Sequence, residues 1–217
     1  MGIDYTKRPS ATPPPAAAPA VNLSKISLTK TAPQVNLTKP GESQGLMRVN
    51  LNWSSGSRGF FGKKAVDLDL GCLYELADGS KGVIQALGNS FGSQNRPPYI
   101  SLDGDDRSGA VAGGENMHIN LASPQQFRRI LIFAMIYEGA ANWAAVDGEV
   151  TLYPTAGPPI EVRLDSPVNG ARICAVAQVY YADGGLHVQR EVNYINGSQS
   201  DLDRSYNWGM RWKAGRK

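Results

Sequence analysis

The stretch Arg129-Ile-Leu-Ile-Phe-Ala-Met-Ile-Tyr137 decides the fold class, because it is apolar at nearly every position over the length of one strand. A run of this kind is typical of a strand that is covered on both faces. Shorter alternating runs lie on either side of it, separated by the Gly, Pro, Asn and Asp residues that form turns. We therefore expect residues 129–137 to form a central strand of a layered β structure.

Alternation of apolar and polar residues predicts ten strands in all, at 25–29, 46–53, 65–76, 82–87, 117–121, 129–137, 149–153, 160–165, 171–181 and 186–195. So many short strands with frequent turns predict an all-β fold, a two-sheet β-sandwich. Ala182-Asp-Gly-Gly185 is typical of the hairpin turn that would join the last two strands. Short helical turns are predicted at 123–127, where Pro124 suits a first helical position, and at 201–206.

The first 20 residues differ from the rest of the chain in composition. They include Pro9-Ser-Ala-Thr-Pro-Pro-Pro-Ala-Ala-Ala-Pro19, which has almost no side chain able to fill a core and enough proline to extend as a spacer. We predict a disordered N-terminal tail at 1–20 and one β-sandwich domain at 21–217, because 217 residues with 41% hydrophobic content suffice for one core.

The chain has neither an apolar run long enough to span a membrane nor a recognisable secretory signal at its N-terminus. These features predict a cytoplasmic protein. Cys72 and Cys174 both lie in apolar strand patterns, which favours buried, reduced thiols over a disulfide.

The net charge is +3, and the positive charge is concentrated at the C-terminus. Residues 204–217 contain five Lys and Arg residues, no Asp or Glu, and two tryptophans, Trp208 and Trp212. Such a segment could contact nucleic acid or an anionic membrane. The favoured interpretation is a last strand whose tryptophans pack on the core while the cations stay in water. No nucleic-acid partner is expected, and a peripheral association with the membrane remains an alternative.

The first of two acidic clusters lies in the strand pattern at 65–74, where apolar residues alternate with Asp67, Asp69 and Gly71. This alternation predicts a half-buried strand with both carboxylates on one face. Their Cα atoms would lie roughly 6.5 to 7 Å apart, a gap that the oxygen ligands of one Ca²⁺ ion can bridge. Two carboxylates so close repel each other, and a divalent cation removes that penalty.

The second cluster is the loop Asp103-Gly-Asp-Asp-Arg-Ser-Gly109, followed by Gly113-Gly-Glu-Asn116. Its glycines allow the backbone to turn carbonyl oxygens toward an ion. The candidate calcium ligands are Asp67, Asp69, Asp103, Asp105, Asp106 and Glu115. The loop does not match an EF-hand, because Ser108 occupies the position that requires glycine and Gly114 the position of the bidentate glutamate. The alternative is an ordinary solvated Asp/Gly turn between strands.

With these motifs in view, the chain from about residue 21 to its C-terminus resembles the TerD-type tellurium resistance proteins. The resemblance is carried by Val21-Asn-Leu-Ser-Lys25, Ile26-Ser-Leu-Thr-Lys30, Asp67-Leu-Asp69-Leu, Gly104-Asp-Asp-Arg-Ser-Gly109 and Met117-His-Ile-Asn-Leu121. The later stretches are more similar to the TerA branch of that family, namely Ile136-Tyr-Glu-Gly139, Asn142-Trp143 and Trp208-Gly-Met-Arg-Trp212.

The resemblance implies a two-sheet β-sandwich that binds Ca²⁺ between its loops and has a stress or tellurite-resistance role without a known reaction. It matches Asp67 and Asp69 to the paired acids of the family's strand motif, and Asp105 and Asp106 to the acids of its loop. This chain departs from the family where it reads Ala110-Val-Ala-Gly-Gly-Glu-Asn116, since members usually carry a denser run of acids there. That departure indicates that one of the usual metal sites is weak or missing.

Enzymatic functions find less support. Gly88-Asn-Ser90-Phe-Gly92 fits the G-x-S-x-G pattern, but a nucleophile elbow needs a helix after the serine, and Pro97-Pro98 oppose one. The two histidines, His118 and His187, and the two cysteines show no zinc-binding spacing, and no motif for a redox cofactor is present.

The leading hypothesis is a non-enzymatic, calcium-binding β-sandwich that presents a surface to other tellurium-resistance proteins or to the inner membrane surface. The alternatives are a serine hydrolase centred on Ser90 and a Ca²⁺-dependent lectin-like module.

Overall fold

The structure, a computed structural model, describes residues 25–38, 42, 44–54, 66–104 and 113–213. The tail predicted at 1–20 lies outside these residues. Within them the chain forms the strands β1 (Ile26–Ser27), β2 (Gln34–Asn36), β3 (Gly45–Asn52), β4 (Asp67–Leu76), β5 (Lys81–Ile84), β6 (Gly92–Ser93), β7 (Ile100–Leu102), β8 (Glu115–Leu121), β9 (Phe127–Glu138), β10 (Gly148–Tyr153), β11 (Ile160–Leu164), β12 (Ile173–Ala182) and β13 (Gly185–Ile195). They are joined by 3₁₀ turns at Leu87–Asn89, Pro124–Gln126 and Trp143–Ala145, and the helix α1 (Gln199–Ser205) follows β13.

The strands form two sheets. The larger sheet has seven strands in the order β1-β11-β10-β3-β8-β7-β6, and the smaller has six in the order β2-β13-β12-β9-β4-β5. The β1–β11 pair is parallel, and the other pairs of named strands in the described part are antiparallel. The predicted all-β, two-sheet architecture is therefore confirmed.

The main core lies between the sheets. Met47 and Val49 of β3 in the larger sheet and Leu68 and Leu70 of β4 in the smaller sheet are fully buried in one continuous cluster. Cys72 belongs to the same cluster and is a free thiol whose pKa is raised by burial, and Cys174 is likewise free and buried. Both cysteines are therefore buried as predicted, and their reduced state stays a prediction.

A second, smaller core covers the outer face of the six-stranded sheet. It joins Leu73 of β4 and Phe133 of β9 to Leu202 of α1 and to Trp208, which follows that helix. The prediction that β9 is a central strand covered on both faces is thus confirmed. The prediction that β4 is only half-buried is wrong. The face of β4 that was predicted to be exposed to solvent is covered by α1 and the residues after it.

Residues 207–213 form an irregular segment rather than the predicted last strand. The carboxylate of buried Asp203 holds it, accepting the N–H groups of Gly209 and Met210 at 2.9 Å each and the indole Nε1–H of Trp212 at 3.0 Å. Trp208 packs on the core as predicted, and the guanidinium of Arg129 lies 3.9 Å from the centre of its ring. None of the helices in the described ranges is long and apolar enough to cross a membrane.

Candidate functional site

Asp67 and Asp69 lie at the start of β4, opposite Glu138 and Met135 of β9. Trp53 secures this end of the strand, because its indole Nε1–H donates to the carbonyl oxygen of Val66 at 3.3 Å. Each aspartate is only 3% exposed. Carboxylates are rarely buried so deeply unless their charge is compensated, so the start of β4 is an unusual place for two of them.

Glu115 brings a third buried carboxylate to the same strand from the opposite sheet. It is the first residue of β8 and shares the inward face of Met117 and Ile119, with an exposure of 3%. Its Oε2 accepts the backbone N–H of Leu70 at 2.6 Å. The fold therefore places the Glu115 carboxylate beside the peptide unit that follows Asp69.

The donor chemistry of these acids suits calcium. Asp67 Oδ1 and Asp69 Oδ2 are buried oxygens that accept no hydrogen bond within the described ranges, although Asp67, Asp69 and Glu115 all have further interactions in the chain. Carboxylate oxygens are the hard ligands that Ca²⁺ prefers. The type of donor at the start of β4 is thus compatible with the calcium ion that the sequence predicts, and calcium binding itself stays a prediction.

Asp103 has a different environment. Its side chain is 55% exposed, and its Oδ1 lies 3.0 Å from Nδ1 of His118, with which it forms an ion pair when the imidazole is protonated. The backbone N–H of Asp103 donates to the carbonyl oxygen of Asn116 at 2.9 Å. Asp105 and Asp106 lie outside the described residues, so the structure does not place them relative to the buried acids.

Asn50 of β3 anchors the end of the acidic loop, a role that the sequence analysis missed. Its buried side-chain amide donates to the carbonyl oxygens of Gly113 and Glu115 and to Asn116 Oδ1. Gly114 lies between these contacts with a φ of +61°, and a Cβ there would come within 2.1 Å of the carbonyl oxygen of Leu51. Only glycine fits this close approach, which fixes where the loop rejoins β8.

No group of three or more His, Cys, Asp or Glu side chains lies close enough to hold a metal ion within residues 25–38, 42, 44–54, 66–104 and 113–213. Calcium takes six to eight oxygen ligands, more than the acids at the start of β4 supply. A complete site would therefore need further oxygen ligands, for which the sequence offers Asp105 and Asp106.

Ser90 lies in a different part of the fold. Its hydroxyl donates to the carbonyl oxygen of Val83 at 2.6 Å, and its own carbonyl accepts the N–H of Gln85. The serine follows the 3₁₀ turn at Leu87–Asn89 and precedes the short strand β6, whereas a nucleophile elbow leads into a helix.

Comparison with known proteins gives the family. The tellurium resistance protein TerA of an Alcaligenes species is 45% identical over 226 aligned positions, which cover the whole of this chain and 66% of that protein. The chain belongs to the TerD/TerA-type family of tellurium resistance proteins. It spans about two thirds of the length of this TerA relative, and no family model matches it.

Two solved structures share the fold. A homologue of the telluride resistance protein TerD from Streptomyces coelicolor superposes with a TM-score of 0.52 at 20% identity, covering 74% of this chain and 95% of its own. A protein of unknown function superposes with a TM-score of 0.54 at 17% identity, covering 78% of this chain and all of its own. At these identities the likeness shows the common fold of this TerA-like chain and its relatives.

Proposed function

We propose that this TerA-like chain is a calcium-binding, non-enzymatic stress-response module of tellurite resistance. The observation that carries the proposal is the burial of three carboxylates, those of Asp67 and Asp69 in β4 and that of Glu115 in β8, which reaches β4 at the Leu70 N–H. Three negative charges in a buried environment cost free energy, and a divalent cation offsets that cost.

In this proposal the ion joins the start of β4 to the acidic loop. Asp67 and Asp69 supply carboxylate oxygens from the smaller sheet, while Asp103, Asp105 and Asp106 lie in the loop that enters β8 of the larger sheet. Glu115 holds the two sheets in register at this point through its bond to the Leu70 N–H. Calcium would thus order a surface of the sandwich built from both sheets.

The ordered surface would act through partners rather than through a reaction at the site. Other tellurium-resistance proteins are the first candidates, and the inner membrane surface, approached from the cytoplasm, is the second. Asn50 and Gly114 support this role, because they fix the point where the acidic loop rejoins β8.

The direct test is a calorimetric titration of the purified chain with Ca²⁺, with Mg²⁺ as the competitor. We expect binding to Ca²⁺ that Mg²⁺ displaces poorly, because Mg²⁺ demands octahedral geometry and retains its waters. Asp67→Asn combined with Asp69→Asn should abolish the heat of binding.

The matched control removes two other carboxylates, Asp147→Asn with Asp183→Asn. Both of these residues are exposed and have positive φ angles, a conformation that asparagine tolerates well. This control should bind calcium like the parent. If the parent gives no heat with Ca²⁺, or if the control loses binding as fully as the β4 variant, the proposed site is wrong.

A further inference from the structure

A cleft runs between β5, at the edge of the six-stranded sheet, and the irregular segment 209–213. It comprises two cavities that both contact Trp212. One, of about 450 Å³, lies against Lys81, Gly82 and Val83 of β5, and the other, of about 320 Å³, lies toward the first residues of α1. The two cavities adjoin at Trp212 and are together called the Trp212 cleft here.

The charge of the Trp212 cleft is one-sided. Lys81, Arg211 and Lys213 line it, and no Asp or Glu of the described ranges does so. Lys81 donates from Nζ to the carbonyl oxygen of Trp208 at 2.8 Å and lies 3.8 Å from Glu75 Oε2, so its charge is partly compensated. Arg211 and Lys213 are exposed and carry most of the positive charge of the cleft. Such a cleft attracts negatively charged ligands.

The wall of the cleft formed by residues 209–213 is pre-organised. The Asp203 carboxylate fixes the Trp212 indole through Nε1 and fixes the backbone through the N–H groups of Gly209 and Met210. A ligand therefore meets an aromatic surface that is already in position, which reduces the entropy cost of binding.

The opposite wall presents a strand edge. Ser90 contacts the carbonyl of Val83 and the N–H of Gln85 on the side of β5 away from β4. Because outward groups alternate along an antiparallel strand, the N–H groups of Lys81 and Val83 point to that side as well. No hydrogen bond to either N–H is found within the described ranges. Ser90 already occupies this edge at the Val83 carbonyl and at Gln85, so the part that can pair with an added segment is the stretch from Lys81 to the Val83 N–H.

We propose that the Trp212 cleft binds an extended acidic segment of a partner protein, which lies along β5 with its carboxylates toward Lys81, Arg211 and Lys213. A strand-edge donor pattern matches peptide carbonyls, the acceptors by which an extended peptide extends a sheet. A flat bilayer cannot enter a cleft to reach that edge. An extended peptide has carbonyl acceptors at the spacing of a neighbouring strand, which a nucleic acid does not have, and the oligonucleotide comparison below tests this difference. The inference concerns a surface distinct from the buried acids of β4, and it does not rest on calcium binding.

The test is fluorescence anisotropy of the full chain with a labelled peptide of alternating Glu and Val, compared with its Gln and Val counterpart. We expect the acidic peptide to bind and the neutral one to bind much more weakly. Arg211→Ala combined with Lys213→Ala should weaken the acidic peptide about five- to tenfold. The matched control, Lys30→Ala with Arg96→Ala, removes two exposed cations elsewhere and should leave binding unchanged.

A second peptide separates strand addition from simple charge attraction. The same acidic sequence with N-methylated amides at alternate positions keeps its charge but cannot pair along a strand, so we expect it to lose binding. Equal binding of the methylated and unmethylated peptides would contradict the proposal. So would binding of anionic phosphatidylserine vesicles or of single-stranded oligonucleotides in preference to the acidic peptide.

The calcium proposal is kept separate by repeating the titration with Ca²⁺ and with a chelator. Peptide binding should be the same in both, whether or not calcium binds the chain. If peptide binding disappears in chelator, the proposal that the Trp212 cleft binds peptide independently of calcium is wrong. If the chain binds the peptide but gives no heat with Ca²⁺, only the proposed metal site is wrong.

Discussion

The carboxylate of Glu115 accepts the N–H of Leu70 across the gap between the two sheets, and the two residues lie 45 positions apart in sequence. Sequence patterns identify Glu115 only as an acid at the end of a glycine-rich loop. The contact depends on how β8 and β4 stack, which local alternation does not encode. The same side chain therefore satisfies a buried backbone donor and adds a negative charge to the candidate metal site.

Substituting Glu115 separates these two roles. Glu115→Gln keeps an oxygen that can accept the Leu70 N–H, so we expect nearly parental stability and a modest loss of calcium affinity. Glu115→Ala leaves that N–H buried without its acceptor and should cost about 1–3 kcal/mol of unfolding free energy. Urea denaturation and calcium titration of the two variants provide the measurements, and equal stability of the two would show that the hydrogen bond is unimportant.

Ser90 supplies a second test at the residue scale. Its hydroxyl caps the carbonyl of Val83 at 2.6 Å, so Ser90→Ala should lower the unfolding free energy by about 1 kcal/mol. Tellurite tolerance and turnover of a panel of ester substrates should not change. An esterase activity that this substitution abolishes would instead establish the serine as a nucleophile.

At the scale of elements, the sequence predicted the long strands well and the short ones poorly. All ten predicted strands are present, and the hairpin turn at 182–185 has the positive φ angles at Asp183 and Gly184 that its composition predicts. β2, β6 and β7 were missed, because two or three residues cannot show a period. α1 begins at Gln199, two residues before its predicted start, because Ser198 and Asp201 form a capping box.

The candidate site was predicted less completely than the fold. Asp67 and Asp69 occupy alternate positions of β4 as the sequence implies, yet the alternation predicts a half-buried strand and does not predict that both carboxylates are buried. The sequence around Asn50 does not indicate its role, since a single asparagine in an alternating strand is common. Its role becomes visible only when β3 and the end of the acidic loop are neighbours.

Glu75 at the far end of β4 links the sheet to the C-terminal residues and provides a pH-dependent test. Burial alone would raise the pKa of its carboxyl, but hydrogen bonds from Arg129 and Arg128 outweigh this effect and hold the pKa below its ordinary value. Arg129 in turn donates to the carbonyl oxygens of Tyr206 and Asn207. Through Arg129, the Glu75 carboxylate therefore helps to hold the residues after α1 against the outer face of the six-stranded sheet.

A lowered pKa in the folded state means that the Glu75 contribution is fully present above the unfolded pKa and is lost as pH falls through the folded value. Glu75→Gln should therefore destabilise the chain by about 1–3 kcal/mol near neutral pH. The difference from the parent should shrink in acid, toward about pH 3. Urea denaturation at both pH values measures this, and a difference that grows on acidification would contradict the assignment.

At the scale of the whole molecule, the candidate calcium ligands come from both sheets, so binding of an ion to all of them would be coupled to folding. Asp67 and Asp69 belong to the six-stranded sheet, and Glu115 and the loop that precedes it belong to the seven-stranded sheet. An unfolded chain cannot bring these groups together. Any ion that binds them must stabilise the folded state by mass action.

Thermal unfolding with calcium or with a chelator measures this coupling. At a free concentration ~100 times the dissociation constant, the gain is about 2.7 kcal/mol. In a domain of this size each kcal/mol moves the Tm by roughly 2 to 4 °C, so we expect a rise of about 5 to 10 °C. Mg²⁺ should give much less.

Asp67→Asn with Asp69→Asn should remove most of the calcium shift and slightly raise the Tm in chelator, because two buried charges of the same sign are neutralised. The Asp147→Asn and Asp183→Asn control should keep the shift. If the β4 variant keeps it as well, the ion binds elsewhere, and the burial of Asp67 and Asp69 must be compensated by the protein alone.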